Sequence, residues 1–259
     1  MHRMVNLAGV NNFILGVKYL FRGIGYWGRR PKVMLLGAIP ALIATALLVG
    51  GLVALAMNLT DLSAWLTGFA DDWGGFWRTS VQVVAGILVF AFAGWISILM
   101  FTALTLIIGD PFYEAINGRV EAEYGPVNEV EVGFWAGLGR SIGDSLRLLL
   151  VSVPLGILLF ALGFIPVVGT ILALVLGAFI GGWFLAVELT AYPFNRRGIR
   201  YGQYRRMLGS RRSMAVGFGT TVFLLFLIPL GAVIVMPAAV AGGTLMARDV
   251  LGENTIRRG

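Results

Sequence analysis

Cysteine is absent from the 259-residue chain, and its one histidine is His2. Disulfides, thiolate metal sites, iron–sulfur clusters and cysteine nucleophiles are therefore excluded. A histidine-based triad and an HExxH zinc site inside the fold are excluded for the same reason. Lysine is nearly missing too, at Lys18 and Lys32 only, and neither stands in a GxxxxGK[ST] loop, so an ATP-driven pump would have no phosphate grip here. Charge is scarce: 13% of residues are charged, against about 25% in a soluble domain. No catalytic residue, metal or cofactor is expected, and the chain does not read as an enzyme.

Apolar residues supply 58% of the chain before its 36 glycines are counted, and the mean hydropathy is +0.85. Several apolar runs reach the ~20 residues that cross a hydrocarbon core. The chain is expected to be an all-α integral membrane protein forming a single membrane domain over residues 1–259. Its first 30 residues have no continuous apolar core followed by a small-residue cleavage site, so no signal peptide is expected.

Phe13, Ile14, Val17, Leu20, Phe21 and Ile24 recur at helical spacing with Lys18 and Arg22 opposite, which predicts an amphipathic helix in the cytoplasmic interface within residues 1–32. Residues 33–108 hold two long spans, Val33 to Met57 and Val81 to Ile108. Between them, in an outer segment 58–80, Asp61, Asp71, Asp72 and Arg78 stand among Trp65, Trp73 and Trp77. Asp110-Pro111-Phe112 reads as a fresh helix start, with aspartate as N-cap and proline in the first turn. Its continuation, "YEAINGRVEAEYG", is charged and expected in water. Phe134 to Arg147, with Arg140, Asp144 and Arg147, completes a cytoplasmic amphipathic region over 109–147.

Two pairs of apolar stretches follow: 148–164 with 171–191, and 215–227 with 232–247. Their connections, "IPVVGT" and "IPLGA", carry no charge, whereas a loop in water carries turn polars. They predict two helical hairpins, 148–191 and 215–247, that enter from one side and turn inside the bilayer. The other reading is ordinary spans with greasy turns at the far interface. The short 215–227 stretch favours the re-entrant form. The positive residues before the first span, in the basic segment 192–214 and in the tail 248–259 orient both termini toward the cytoplasm.

The turn Gly28-Arg29-Arg30-Pro31-Lys32 is the leading candidate for chemistry. Glycine and proline let a helix begin sharply, its first N–H groups lack partners, and an arginine fork grips two oxygens of an oxyanion. The same cations would also serve to anchor lipid head groups and set topology. Glu188 is the one acid deep in an apolar run, either a proton-linked group or half of an ion pair with Arg196 or Arg197. Gly177, Gly181 and Gly182 suit close helix packing. The arginines at 196–212 are read as a flank for anionic lipid, not as a nucleic-acid site.

The patterns "GVKYLFRG", "GRRPKVMLLGAIP", "DPFYEAINGRVE", "FIPVVG" and the long run from "AYPFNRRGIRYGQYRRMLGSRRS" to "MPAAVAGGT" resemble the CysZ-type sulfate permeases and the wider etoposide-induced-protein family. The resemblance implies two long transmembrane helices, two membrane-dipping hairpins, a homo-oligomer, and proton-coupled sulfate uptake across the inner membrane for cysteine biosynthesis. It places the sulfate-binding turn on Gly28, Arg29 and Arg30, although Arg29 fills a position usually apolar in the motif. An oligomer also suits the physics, because one chain's hairpins offer few polar side chains to line a path for a dianion. A non-transporting membrane-organising protein with lipid-binding arginines is the alternative.

Overall fold

Helix is the only regular structure among the described residues of the computed structural model, which are 2–127, 130, 134–228 and 231–255. Eleven α-helices follow one another: α1 (His2–Arg29), α2 (Pro31–Leu35), α3 (Ile39–Met57), α4 (Leu59–Leu66), α5 (Gly75–Ala122), α6 (Phe134–Gly163), α7 (Val168–Leu189), α8 (Ala191–Arg196), α9 (Tyr201–Ser210), α10 (Arg212–Phe226) and α11 (Gly231–Val250). Among the described residues, five stretches are long and apolar enough to cross a membrane: Pro31–Met57, Gly75–Ala122, Leu146–Gly163, Val168–Arg196 and Gly231–Val250. The chain divides into two units, Ala38–Phe112 and the remainder.

In the Ala38–Phe112 unit, α3 ends at Met57 and the chain turns through α4 and a short 3-10 turn, Gly68–Ala70. Trp65, Trp73 and Trp77 are exposed there, and Phe69 meets Trp73 edge-on at 5.9 Å. Arg78 pairs with Asp71 at 3.1 Å, both largely exposed. Polar and aromatic residues thus share one connection between apolar helices, as the composition of 58–80 predicts.

One expectation fails in α5. The helix runs through Asp110-Pro111 without stopping, so no fresh helix begins there. Proline removes a single N–H donor, and neighbouring groups in an apolar helix can absorb that loss. The stretch after it is only partly solvated: Glu114 and Arg119 are exposed, but Ile116, Asn117 and Val120 are fully buried and Glu121 nearly so. Glu121 and Glu123 are paired with arginines far away in sequence. The amphipathic reading of Phe134 to Arg147 rests on Arg140, Asp144 and Arg147; Arg147 is exposed, and the side chains of Arg140 and Asp144 lie outside the described residues.

In the other unit, α1, α7, α10 and α11 pack into one core. Glycines set their spacing. A methyl on Gly16 or Gly217 would invade the α1–α10 crossing, and one on Gly23 or Gly242 the α1–α11 crossing. Gly182 and Gly219 meet backbone to backbone where α7 crosses α10. Small residues matter here because lipid offers no hydrophobic drive to join helices, and close backbone approach supplies the packing energy. Gly181 faces Phe223 of α10, but Gly177 is not at the crossing: a methyl added there would meet only Leu159, at an ordinary 3.9 Å. The buried stripe of α1 runs through Gly16, Tyr19, Leu20, Gly23 and Tyr26, while Ile14 and Phe21 remain exposed.

The first hairpin turns at Phe164–Val167 between α6 and α7. Val167 has φ 60°, and the Val168 N–H donates to the Pro166 carbonyl at 2.7 Å, a tight three-residue turn. Phe164, Ile165, Val167 and Val168 are all more than half exposed. The tip of the second hairpin includes Pro229 and Leu230, which lie outside the described residues.

Candidate functional site: a basic turn joined to a buried ion cluster

Arg30 stands between two helices because proline follows it. Pro31 has no N–H to extend α1 and disfavours helical geometry in the residue before it, and Arg30 takes φ −139°, ψ 59°. Its own N–H completes α1 by donating to the Tyr26 carbonyl at 2.7 Å. Its carbonyl opens α2 by accepting from Val33 and Met34 at 3.0 and 3.2 Å.

Gly28, Arg29 and Arg30 all lie exposed at this junction. Arg30 Nε donates to Glu123 Oε1 at 3.0 Å. The Tyr26 hydroxyl lies 3.4 Å from Glu123 Oε2 and 3.1 Å from the Tyr124 hydroxyl. Burial first, then the Tyr124 and Glu123 contacts, push the Tyr26 phenol well above its ordinary range, so it stays a neutral donor. Arg29 and Lys32 have no ion-pair partner among the described residues. The turn therefore carries three cations against one nearby carboxylate, at the C-terminal end of α1, where cations are favoured.

Tyr124 links this turn to a second group of charges. Its carbonyl accepts from Arg248 Nη2 at 3.3 Å, and the Arg248 guanidinium lies 5.8 Å from its ring centre. Arg248 Nη1 also donates to Glu121 Oε2 in a short bond. Arg197 binds both Glu121 oxygens, Nη1 to Oε1 at 2.8 Å and Nη2 to Oε2 at 3.1 Å. It binds Glu253 in the same manner, Nε to Oε1 at 2.7 Å and Nη2 to Oε2 at 2.6 Å. Two guanidiniums and two carboxylates thus form a formally neutral cluster in which Glu121, Arg197 and Arg248 are buried and Glu253 is partly exposed. Burial alone would lower the Arg197 pKa, but the hydrogen bonds it donates to Glu253 and Glu121 overcome that and raise it. Burial alone would raise Glu253, but the Arg197 bond and the charges of Arg197 and Arg248 bring it below the usual carboxylate range.

Helical spacing builds the cluster. Asn117 and Glu121 sit one turn apart on α5, as Thr244 and Arg248 do on α11. Asn117 Nδ2 donates to Thr244 Oγ1 at 2.8 Å, one turn from the Glu121–Arg248 pair. Asn117 Oδ1 is buried without a hydrogen-bond partner among the described residues.

Of the residues singled out in the sequence, Arg30 joins this network through Glu123, while Gly28 and Arg29 flank it. Glu188 lies on an exposed face of α7, and the Arg197 guanidinium is engaged by Glu121 and Glu253. Part of the arginine run is engaged within the protein: besides Arg197, Arg211 pairs with Asp249 at 3.2 Å, and Arg212 lies 5.6 Å from the Trp183 ring. Glu121, Arg248 and Glu253 escaped sequence reasoning. The available signal was the matched four-residue spacing of Asn117 with Glu121 and Thr244 with Arg248.

Apolar helices of spanning length, an aromatic connection and a polar network on a basic turn define a multi-pass α-helical membrane protein. The family model described as sulfate transporter CysZ/etoposide-induced protein 2.4 matches residues 19–237, and the chain belongs to that family. Relatives named sulfate transporter CysZ include one from Pseudomonas paraeruginosa, 31% identical over 94% of this chain and 98% of its own. Another, from Pseudomonas fluorescens strain Pf0-1, is 30% identical over 87% of this chain and 90% of its own. A third, from Vibrio parahaemolyticus, is 30% identical over 79% and 83%.

Proposed function

We propose that this chain is an inner-membrane sulfate permease that binds the oxyanion at Gly28, Arg29 and Arg30 and supplies sulfate for cysteine biosynthesis. The observation that carries the reading is the junction itself: Arg29 and Lys32, without ion-pair partners among the described residues, beside Arg30, in a chain whose relatives bear a sulfate transporter's name over most of their length. The Glu123 carboxylate occupies Arg30 Nε, so an incoming sulfate competes with it for one arm of the fork. That exchange offers binding without a trap too deep for release, which permeation requires.

The proposed arrangement has two transmembrane helices, α3 with α2 and the apolar part of α5, and two hairpins, α6–α7 and α10–α11, that dip into the bilayer. Support comes from α10, whose 15 residues reach about 22 Å at 1.5 Å per residue, short of a ~30 Å core. Both termini face the cytoplasm in this arrangement, with Arg200, Arg205 and Arg206 directed to anionic lipid. Homo-oligomer formation closes the polar path. Proton coupling draws on Glu188, the carboxylate within the apolar Val168–Arg196 stretch.

Sulfate titration calorimetry tests the site. Arg29→Ala with Arg30→Ala removes sulfate binding while expression and elution volume stay unchanged; normal sulfate affinity in that variant refutes the assignment. The second reading, a membrane-organising protein with lipid-binding arginines, is favoured by the exposed apolar tip at Phe164–Val168. It predicts deformed liposomes and no sulfate flux.

A further inference from the structure

The segment after α11 brings a carboxylate to two arginines by backbone design. Gly252 takes φ +70°, its N–H donates to the Asp249 carbonyl at 3.1 Å, and the Glu253 N–H returns to the Arg248 carbonyl at 2.8 Å. This is the paired closure in which a left-handed glycine ends a helix. It reverses the chain, so that Glu253 lies over the last turn of its own helix. The Arg22 side chain holds the next stretch by donating to the Thr255 carbonyl at 2.8 Å, and Arg248 Nε donates to the Asn254 carbonyl at 3.0 Å.

The Glu253 carboxylate then fills a ready-made cradle. Arg197 Nε and Nη2 take its two oxygens in parallel, and Arg248 Nη1 approaches Oε2 at 3.3 Å. Such a fork fits any oxyanion that presents two oxygens on one edge, carboxylate and sulfate alike. The two guanidiniums are buried, with 9% and 4% of their side-chain surface exposed, but Glu253 retains 33%. The acid is therefore the solvent-facing member of the cluster, while Glu121 is sealed beneath at 2%. Without Glu253, the remaining Arg197, Arg248 and Glu121 carry one uncompensated positive charge at a site open on the Glu253 side. A buried charge that has lost its partner is strongly unfavourable.

We infer that Arg197 and Arg248 form a second oxyanion site, distinct from the Arg29–Arg30 turn, whose tethered occupant is the Glu253 carboxylate and for which free sulfate competes. Glu253 is covalently attached and held at high local concentration, so the site is closed to sulfate at low concentration and opens when the acid is neutralised or displaced. The inference takes sulfate as its probe from the proposed function but does not depend on the Arg29–Arg30 assignment.

Glu253→Gln keeps the shape and removes the charge. The test is sulfate calorimetry on Arg29→Ala/Arg30→Ala protein with and without Glu253→Gln, using chloride at matched ionic strength as the control. The triple variant is expected to bind sulfate at least about ten-fold more tightly than the double variant, a difference of about 1.4 kcal/mol. Equal affinity in the two overturns the inference. If the Glu253→Gln protein does not fold in chloride, the same comparison is made by size exclusion. Recovery of the folded species in sulfate but not in chloride supports the site, since a ligand of the native state restores it by mass action, and failure to recover overturns it. Normal sulfate binding by the double variant would instead refute the Arg29–Arg30 assignment, an outcome that the added binding in the triple variant leaves separable.

Discussion

Glu121→Gln tests whether the buried cluster organises the unit around it. Glu121 accepts from Arg197 at 2.8 and 3.1 Å and from Arg248 through a short bond, with only 2% of its side chain exposed. Glutamine fits the space, but it removes the charge and turns an N–H group toward a guanidinium that is itself a donor. Breaking one partner of a buried ion pair costs about 3–5 kcal/mol. At about 2–4 °C per kcal/mol for a chain of this size, the unfolding midpoint in detergent should drop by about 10 °C. Tryptophan fluorescence on heating reads the change. Arg78→Ala is the matched control, because the Arg78–Asp71 pair has similar length, 3.1 Å, but is 46% and 55% exposed. Its loss should cost less than about 1 kcal/mol. A Glu121→Gln midpoint within about 2 °C of the parent, or an equal loss in Arg78→Ala, would refute the reasoning.

Gly219→Ala should destabilise or misassemble the protein in a detergent unfolding titration, because its methyl would overlap the Gly182 carbonyl. Gly177→Ala should be neutral or gain up to about 1 kcal/mol from helix propensity. Val167→Gly relieves a left-handed β-branched residue and should raise the unfolding midpoint by an amount equivalent to about 1 kcal/mol. Glu253 has a folded pKa below its ordinary value of 4.5, so its contribution is present above that value and is lost as pH falls through the depressed one. A midpoint-against-pH curve should therefore fall on the acid side, and Glu253→Gln should flatten that part of it.

Membrane character, helix content and the aromatic connection between α3 and α5 were legible because each rests on local composition. The "FIPVVG" turn was legible too, since proline and glycine between apolar stretches mark a reversal whatever the surroundings. The buried acids were not. Glu121 lies in a stretch whose charge density reads as solvated, and its burial depends on Arg197 and Arg248, 76 and 127 residues away. The run through Pro111 was misread because a lone Asp-Pro carries the same signal inside a helix as at its start. Arg29 and Arg30 stood out as a cluster, but the competition from Glu123 came only with the fold.

On the proposed function, the basic turn between α1 and α2 serves sulfate passage. The most direct measurement is labelled sulfate flux into proteoliposomes carrying the parent protein or the Arg29→Ala/Arg30→Ala variant, with an inside-acid or inside-alkaline pH step. The account predicts sulfate entry in the parent, a change in rate with the direction of the pH step, and loss of entry in the variant. Equal flux in both proteins, or no flux in the parent alongside deformed vesicles, would contradict it.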